Sequence, residues 1–235
     1  MYAGATAGAT ALVLAGCSKD DNANPQVTDV GSGDTGILNY AYALEQLEAA
    51  FYARVLTGAY FTGSGITPAE KQIFTDLALH EKIHADFFKS ALGSSAIKAL
   101  TPDFSKVDFD TRNGVLATAQ AFEDLGVQAY NGAGRYISSA EYLLLAGKIV
   151  SVEARHAALI RDLQNYNTFV GPVSGSTVTS SDVIDPATGP AVTTANGSVP
   201  AGTYRTERSK LPSQVLAIAN TFLADGYKVS ANSFG

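Results

Sequence analysis

Two Glu-x-x-His units stand out in the chain, Glu81-Lys82-Ile83-His84 and Glu153-Ala154-Arg155-His156. Only three histidines and eight glutamates occur in 235 residues, so chance does not readily make two of the three histidines close such a unit. Residues three apart on a helix share a face, so the carboxylate and imidazole of each unit can grip one metal ion together, or bridge to a second. Two further glutamates from other helices complete a donor set for two divalent cations. Glu123 is the one glutamate in its helical stretch, whereas the first helix offers both Glu45 and Glu48. An internal repeat separates these two. Ala43-Leu44-Glu45-Gln46-Leu47 with Tyr52 aligns with Ala121-Phe122-Glu123-Asp124-Leu125 with Tyr130, which sets Glu45 opposite Glu123 and Glu48 opposite Gly126. Glu45 is therefore the expected ligand, and Glu48 an alternative or additional one.

A single glutamate on a helix is ordinarily a solvated charge, and a single histidine an ordinary side chain. Glu70, Glu141 and His80 read that way. Glu45, Glu123 and Glu153 instead sit in largely apolar stretches, and burying such carboxylates together without a counter-charge is prohibitively costly. Two divalent cations would balance four glutamates, and a set of hard carboxylates with imidazole suits iron or manganese.

The elements that must hold these residues are helical. Leu38, Tyr42, Leu44, Leu47, Phe51 and Val55 recur at helical spacing, predicting a first helix over about 37–57 and a Gly-rich loop to residue 65. Thr67-Pro68-Ala69-Glu70 combines an N-cap, a proline at the first helical position and a capping box, predicting a second helix over about 68–91. A connector with Pro102 precedes a third helix near 111–133. Ser138-Ser139-Ala140-Glu141 opens a fourth that runs to about 166. Residues 170–208 are rich in Gly, Pro, Ser, Thr and Val, with Asp185-Pro186 and Asn196-Gly197 as turn signals, and predict short β-hairpins or an irregular excursion. A short amphipathic helix starts near Pro212. The fold class is all-α: a four-helix bundle over 36–169, a turn-rich insertion over 170–208, and a fifth helix within 209–235 packed on the bundle.

The segments 38–48, 80–88, 121–130 and 152–156 resemble the exported ferritin-like domain proteins, a group that includes the plant desiccation-related proteins. The resemblance covers roughly 36–169. It implies a ferritin-like fold and two iron or manganese ions held by Glu45, Glu81, His84, Glu123, Glu153 and His156. It also implies that Glu81 and Glu153 bridge the ions, with Tyr52 and Tyr130 close behind the ligands to hydrogen-bond a carboxylate or donate an electron. Manganese catalases and ferroxidases resemble this arrangement, which implies an oxidoreductase acting on peroxide or dioxygen. A metal-binding or structural protein without turnover is the alternative.

Composition narrows the partners. A net charge of −6 and a pI near 5.0 leave no basic face for nucleic acid. The lone cysteine, Cys17, permits neither an intrachain disulfide nor a cysteine-based zinc site. It closes Leu14-Ala15-Gly16-Cys17 after a small, apolar stretch from Ala3, too short to span a bilayer and suited to an export signal. Leu-Ala-Gly-Cys resembles the lipobox of bacterial lipoproteins. Residues 1–17 thus read as an export signal, 18–35 as a flexible tether, and the protein as exported and lipid-anchored through Cys17. No Lys or Arg precedes Lys19, so the basic start of such a signal is expected upstream. Oligomeric state is not legible.

Overall fold

A computed structural model of the chain describes residues 27–166, 169, 193–194, 197–198 and 209–234. The export signal, its lipobox and the first part of the tether lie outside the described residues, as does most of the insertion.

Four long helices form the bundle: α1 (Gly33–Val55), α3 (Pro68–Leu92), α4 (Arg112–Ala133) and α5 (Ala140–Gln164). Between the first two lies α2 (Ala59–Thr62), a single turn inside the expected Gly-rich loop. It forms because Tyr60 is buried and its backbone N–H bonds Phe109 O at 3.2 Å, a long-range contact that local sequence does not display. The start of α3 follows its sequence signature, with Thr67 Oγ1 accepting from Glu70 N–H at 3.2 Å and a carboxylate oxygen of Glu70 accepting from Thr67 N–H at 3.3 Å. Thr111 and Ser139 cap α4 and α5 with their side-chain oxygens alone, accepting from Gly114 N–H and Tyr142 N–H.

α1 packs along α3, and α4 along α5. The crossover of residues 93–111 joins these two pairs, the single long connection of a ferritin-type bundle. Side chains of α1 pin it: Asn39 Nδ2 donates to Ser95 O (2.9 Å), its Oδ1 accepts from Ile97 N–H (2.9 Å), and Gln46 Oε1 accepts from Leu100 N–H (2.9 Å). Arg112 ties the start of α4 to both neighbours, reaching Glu70 at 2.6 Å and Leu163 O at 2.8 Å. Glu70 is therefore a buried structural anion, not the solvated charge its position suggested. Burial would raise its carboxyl, but the Arg112 guanidinium and the capping hydrogen bonds hold it below the usual range.

The tether reading stops short of residue 35. β1 (Thr28–Asp29) pairs in parallel with a C-terminal strand at Val229–Ser230, Val30 is buried, and α1 already begins at Gly33. The polar composition of 27–35 belongs to a turn: Asp29 accepts from Gly31 N–H at 2.7 Å, which holds the chain as it enters the helix. Within the insertion, β2 (Thr193–Thr194) and β3 (Gly197–Ser198) pair antiparallel, one of the hairpins expected there. α6 (Pro212–Ala219) lays Val215, Leu216 and Ala219 on the bundle, and β4 (Val229–Ser230) is the strand that meets β1. No helix among the described residues is long and apolar enough to cross a membrane.

Gly132 fixes how the C-terminal segment docks. Lys210 N–H bonds Gln128 O at 3.0 Å, and a Cβ at position 132 would lie 1.7 Å from Lys210 O. Gly132→Ala is expected to destabilise the protein by about 1–3 kcal/mol through overpacking against a backbone that cannot rotate away, measurable by urea denaturation. An unchanged midpoint would show that this docking is not a stabilising contact.

Candidate metal centre

The middle of the bundle is acidic. Glu45, Glu81, Glu123 and Glu153 are 0% exposed, and Glu48 is 4% exposed. Each comes from its own helix apart from the α1 pair, as the helical register of the sequence requires. An aromatic cluster packs against Tyr52, which Phe51 meets at 5.0 Å between ring centres; Phe51 stands edge-on to Phe122 at 5.0 Å, and Phe122 meets Phe222 at 4.7 Å.

Two groups of four side chains converge within this centre. Glu45, Glu81, His84 and Glu153 bring ligand atoms within 4.8 Å of one another, as do Glu81, Glu123, Glu153 and His156. The groups share Glu81 and Glu153. Nδ1 of His84 lies 3.3 Å from Glu45, 3.3 Å from Glu81 and 3.0 Å from Glu153, while Nδ1 of His156 lies 2.8 Å from Glu81 and 3.4 Å from Glu123. All six residues singled out by spacing thus meet in one place. Glu48 joins neither group. It lies beside Glu153 where α4 has Gly126: a Cβ there would come within 3.1 Å of a Glu48 oxygen and 3.3 Å of a Glu153 oxygen. The glycine that breaks the repeat opposite Glu48 is what makes room for it.

The tyrosines close the arrangement across the pairs. The Tyr52 hydroxyl of α1 donates to Glu123 on α4, and the Tyr130 hydroxyl of α4 donates to Glu45 on α1. Burial, and the negative charge of Glu123 or Glu45 respectively, push both phenols well above their usual pKa, so they remain protonated donors.

Several polar atoms here have no hydrogen bond: Glu45 Oε2, Glu81 Oε1, Glu123 Oε2, both oxygens of Glu153, and His156 Nδ1. Buried polar groups left so are costly, and each such group calls for a partner. His156 Nδ1 and Glu81 Oε1 come within 2.8 Å without the alignment of a hydrogen bond, as donors do when they face a common third atom. In the metal-free protein, protons supply the missing positive charge. Burial raises Glu45 to about 7 and takes Glu48 and Glu153 well above the usual carboxylate range. Burial alone would lower the imidazoles, but the surrounding carboxylates hold His84 up at about 12 and His156 at about 10. Burial works against Glu81 as well, yet those two imidazoles keep it at about 2. A pair of divalent cations fits this set: hard oxygens, one imidazole per group, two carboxylates in common and orphaned atoms facing inward.

One residue set aside by the sequence reading belongs here too. His80 reaches from α3 to His156 on α5, its Nδ1 2.9 Å from His156 Nε2. The interhelical contact leaves no trace in spacing along either helix.

The family model for the ferritin-like domain matches residues 33–166. The chain belongs to the ferritin-like domain family. A search of curated proteins found no match. For this ferritin-like protein the match spans all four long helices, and with them every residue of the two groups.

Proposed function

We propose that this ferritin-like protein holds two iron or manganese ions and is an oxidoreductase acting on peroxide or dioxygen. The observation that carries the reading is the sharing of Glu81 and Glu153 by two otherwise separate donor groups, which suits two neighbouring ions and not one. Glu45 and His84 would complete one position, Glu123 and His156 the other. Bound there, the ions would supply the redox electrons, and two adjacent positions match the two oxygens of a small oxygen species.

The chain's own part is positional. Tyr52 and Tyr130 each hold one oxygen of Glu123 and Glu45 and keep a proton on their hydroxyls. A largely apolar cleft bordered by Tyr40, Leu44, Phe88 and Ile149 reaches Tyr130, whose hydroxyl donates to Glu45.

The reading extends to the cell: an exported, lipid-anchored protein of the bacterial envelope, tethered through Cys17. It rests on the Leu14-Ala15-Gly16-Cys17 sequence. A peroxide-removing role suits that exposed compartment.

The enzyme reading is tested by loading the purified protein with Mn(II) or Fe(II), then following oxygen evolution from peroxide and Fe(II) oxidation under air. Turnover in either assay, lost in Glu153→Gln, is the expected result. Protein that carries two ions but is inert in both assays would leave a metal-binding protein without turnover.

A further inference from the structure

His80 lies outside both donor groups, and its side chain is exposed. It nevertheless meets His156 edge to edge, with ring centres 5.2 Å apart, planes inclined by 24° and Nδ1 2.9 Å from His156 Nε2. His156 presents its other nitrogen, Nδ1, to Glu81 and Glu123. A neutral imidazole offers a metal the nitrogen that carries no proton, and the hydrogen bond made by the other nitrogen selects which one that is. For Nδ1 of His156 to face the metal, its proton must sit on Nε2 and be donated to Nδ1 of His80. The proton of His80 then sits on its own Nε2.

His84 lacks this support. Its described polar contacts run through Nδ1 to Glu45, Glu81 and Glu153. The α5 residue that corresponds to His80, immediately before the glutamate, is Val152. The run His80-Glu81-Lys82-Ile83-His84 also has the spacing by which some helices hold one zinc ion between two histidines. That arrangement is not formed here, because His80 turns to His156 and Glu81 sits among the buried carboxylates.

We propose that His80 is a positioning residue that fixes the tautomer and ring orientation of His156, making the Glu123/His156 position the tighter of the two metal positions. The inference rests on the two-metal reading above. Titration of the metal-free protein with Mn(II) should resolve two unequal affinities. His80→Ala should weaken one of them by about 10–100-fold and leave the other in place. His80→Gln, whose side-chain oxygen can accept the same N–H, should recover most of the loss. In the Zn(II)-loaded wild type, nitrogen chemical shifts should show His156 metal-bound at Nδ1 and protonated at Nε2. Unchanged affinities in a folded His80→Ala variant, or His156 bound through Nε2, would overturn the proposal while leaving two metal ions in place. A wild type that binds no metal would overturn both readings. If His80→Ala does not fold, the wild-type shifts alone decide.

Discussion

Glu81→Ala is expected to lose both metal ions, whereas Glu45→Ala and Glu123→Ala should each retain about one per chain. The difference follows from which carboxylates are shared. Glu45 contributes to one group of four and Glu123 to the other, but Glu81 contributes to both. Its oxygens approach His84 at 3.3 Å and His156 at 2.8 Å, so its removal withdraws a donor from each position at once. The affinity of both positions should therefore fall by more than about 100-fold, beyond what loss of an outer hydrogen-bond partner costs. Glu81→Gln keeps the volume and removes the charge, and should behave in the same way, which separates ligand loss from a cavity. Metal content after loading and desalting, with circular dichroism as the folding control, reads the result. Two ions retained by Glu81→Ala would contradict the shared-carboxylate arrangement.

The second large effect is a dependence of stability on pH that metal removes. Folded Glu45 keeps its proton up to about 7 rather than 4.5, and Glu48 and Glu153 keep theirs higher still. The cost of burying these carboxylates as anions is absent below 4.5 and grows as pH rises through the folded values. His84 and His156 add to the trend. Their folded values of about 12 and 10 lie above 6.5, so the stabilisation they give is complete below 6.5 and is lost as pH climbs toward those values. Glu81 works in the opposite sense, contributing above 4.5 and losing its contribution as pH falls through about 2. Metal-free protein should thus be most stable near pH 4.5 and lose stability steadily as pH rises from there, more steeply above 6.5, by at least about 2 kcal/mol, or roughly 4–8 °C in Tm, at pH 8. Metal binding must displace the imidazole protons, so loading at pH 7 should release about two protons or more per pair of ions. The gap in Tm between loaded and metal-free protein should widen from pH 5 to pH 8. A flat metal-free profile, with no proton release on loading, would contradict the protonated cluster.

The sequence made much of this centre legible because helical spacing is short-range. Two Glu-x-x-His units fix which faces of α3 and α5 look inward, and the repeat between Glu45 with Tyr52 and Glu123 with Tyr130 carries the pattern to α1 and α4. Thr67-Pro68-Ala69-Glu70 set a helix start to the residue. What stayed hidden depends on contacts between distant segments. The single turn of α2 exists because Phe109 meets Tyr60. Residues 28–29 are a strand because 229–230 lie alongside. Glu70 is buried because Arg112, on another helix, reaches it. The role of His80 appears only once α3 and α5 face each other. Its one sequence cue was the mismatch of His80 with Val152 in otherwise matching units.

Anomalous diffraction at the iron and manganese edges, from a crystal of protein purified without chelators, tests the proposed two-ion centre most directly. The expected result is two peaks, one among Glu45, Glu81, His84 and Glu153 and the other among Glu81, Glu123, Glu153 and His156, with Glu45 nearer the first ion than Glu48. No peak in the bundle, or a single ion held outside these groups, would contradict it.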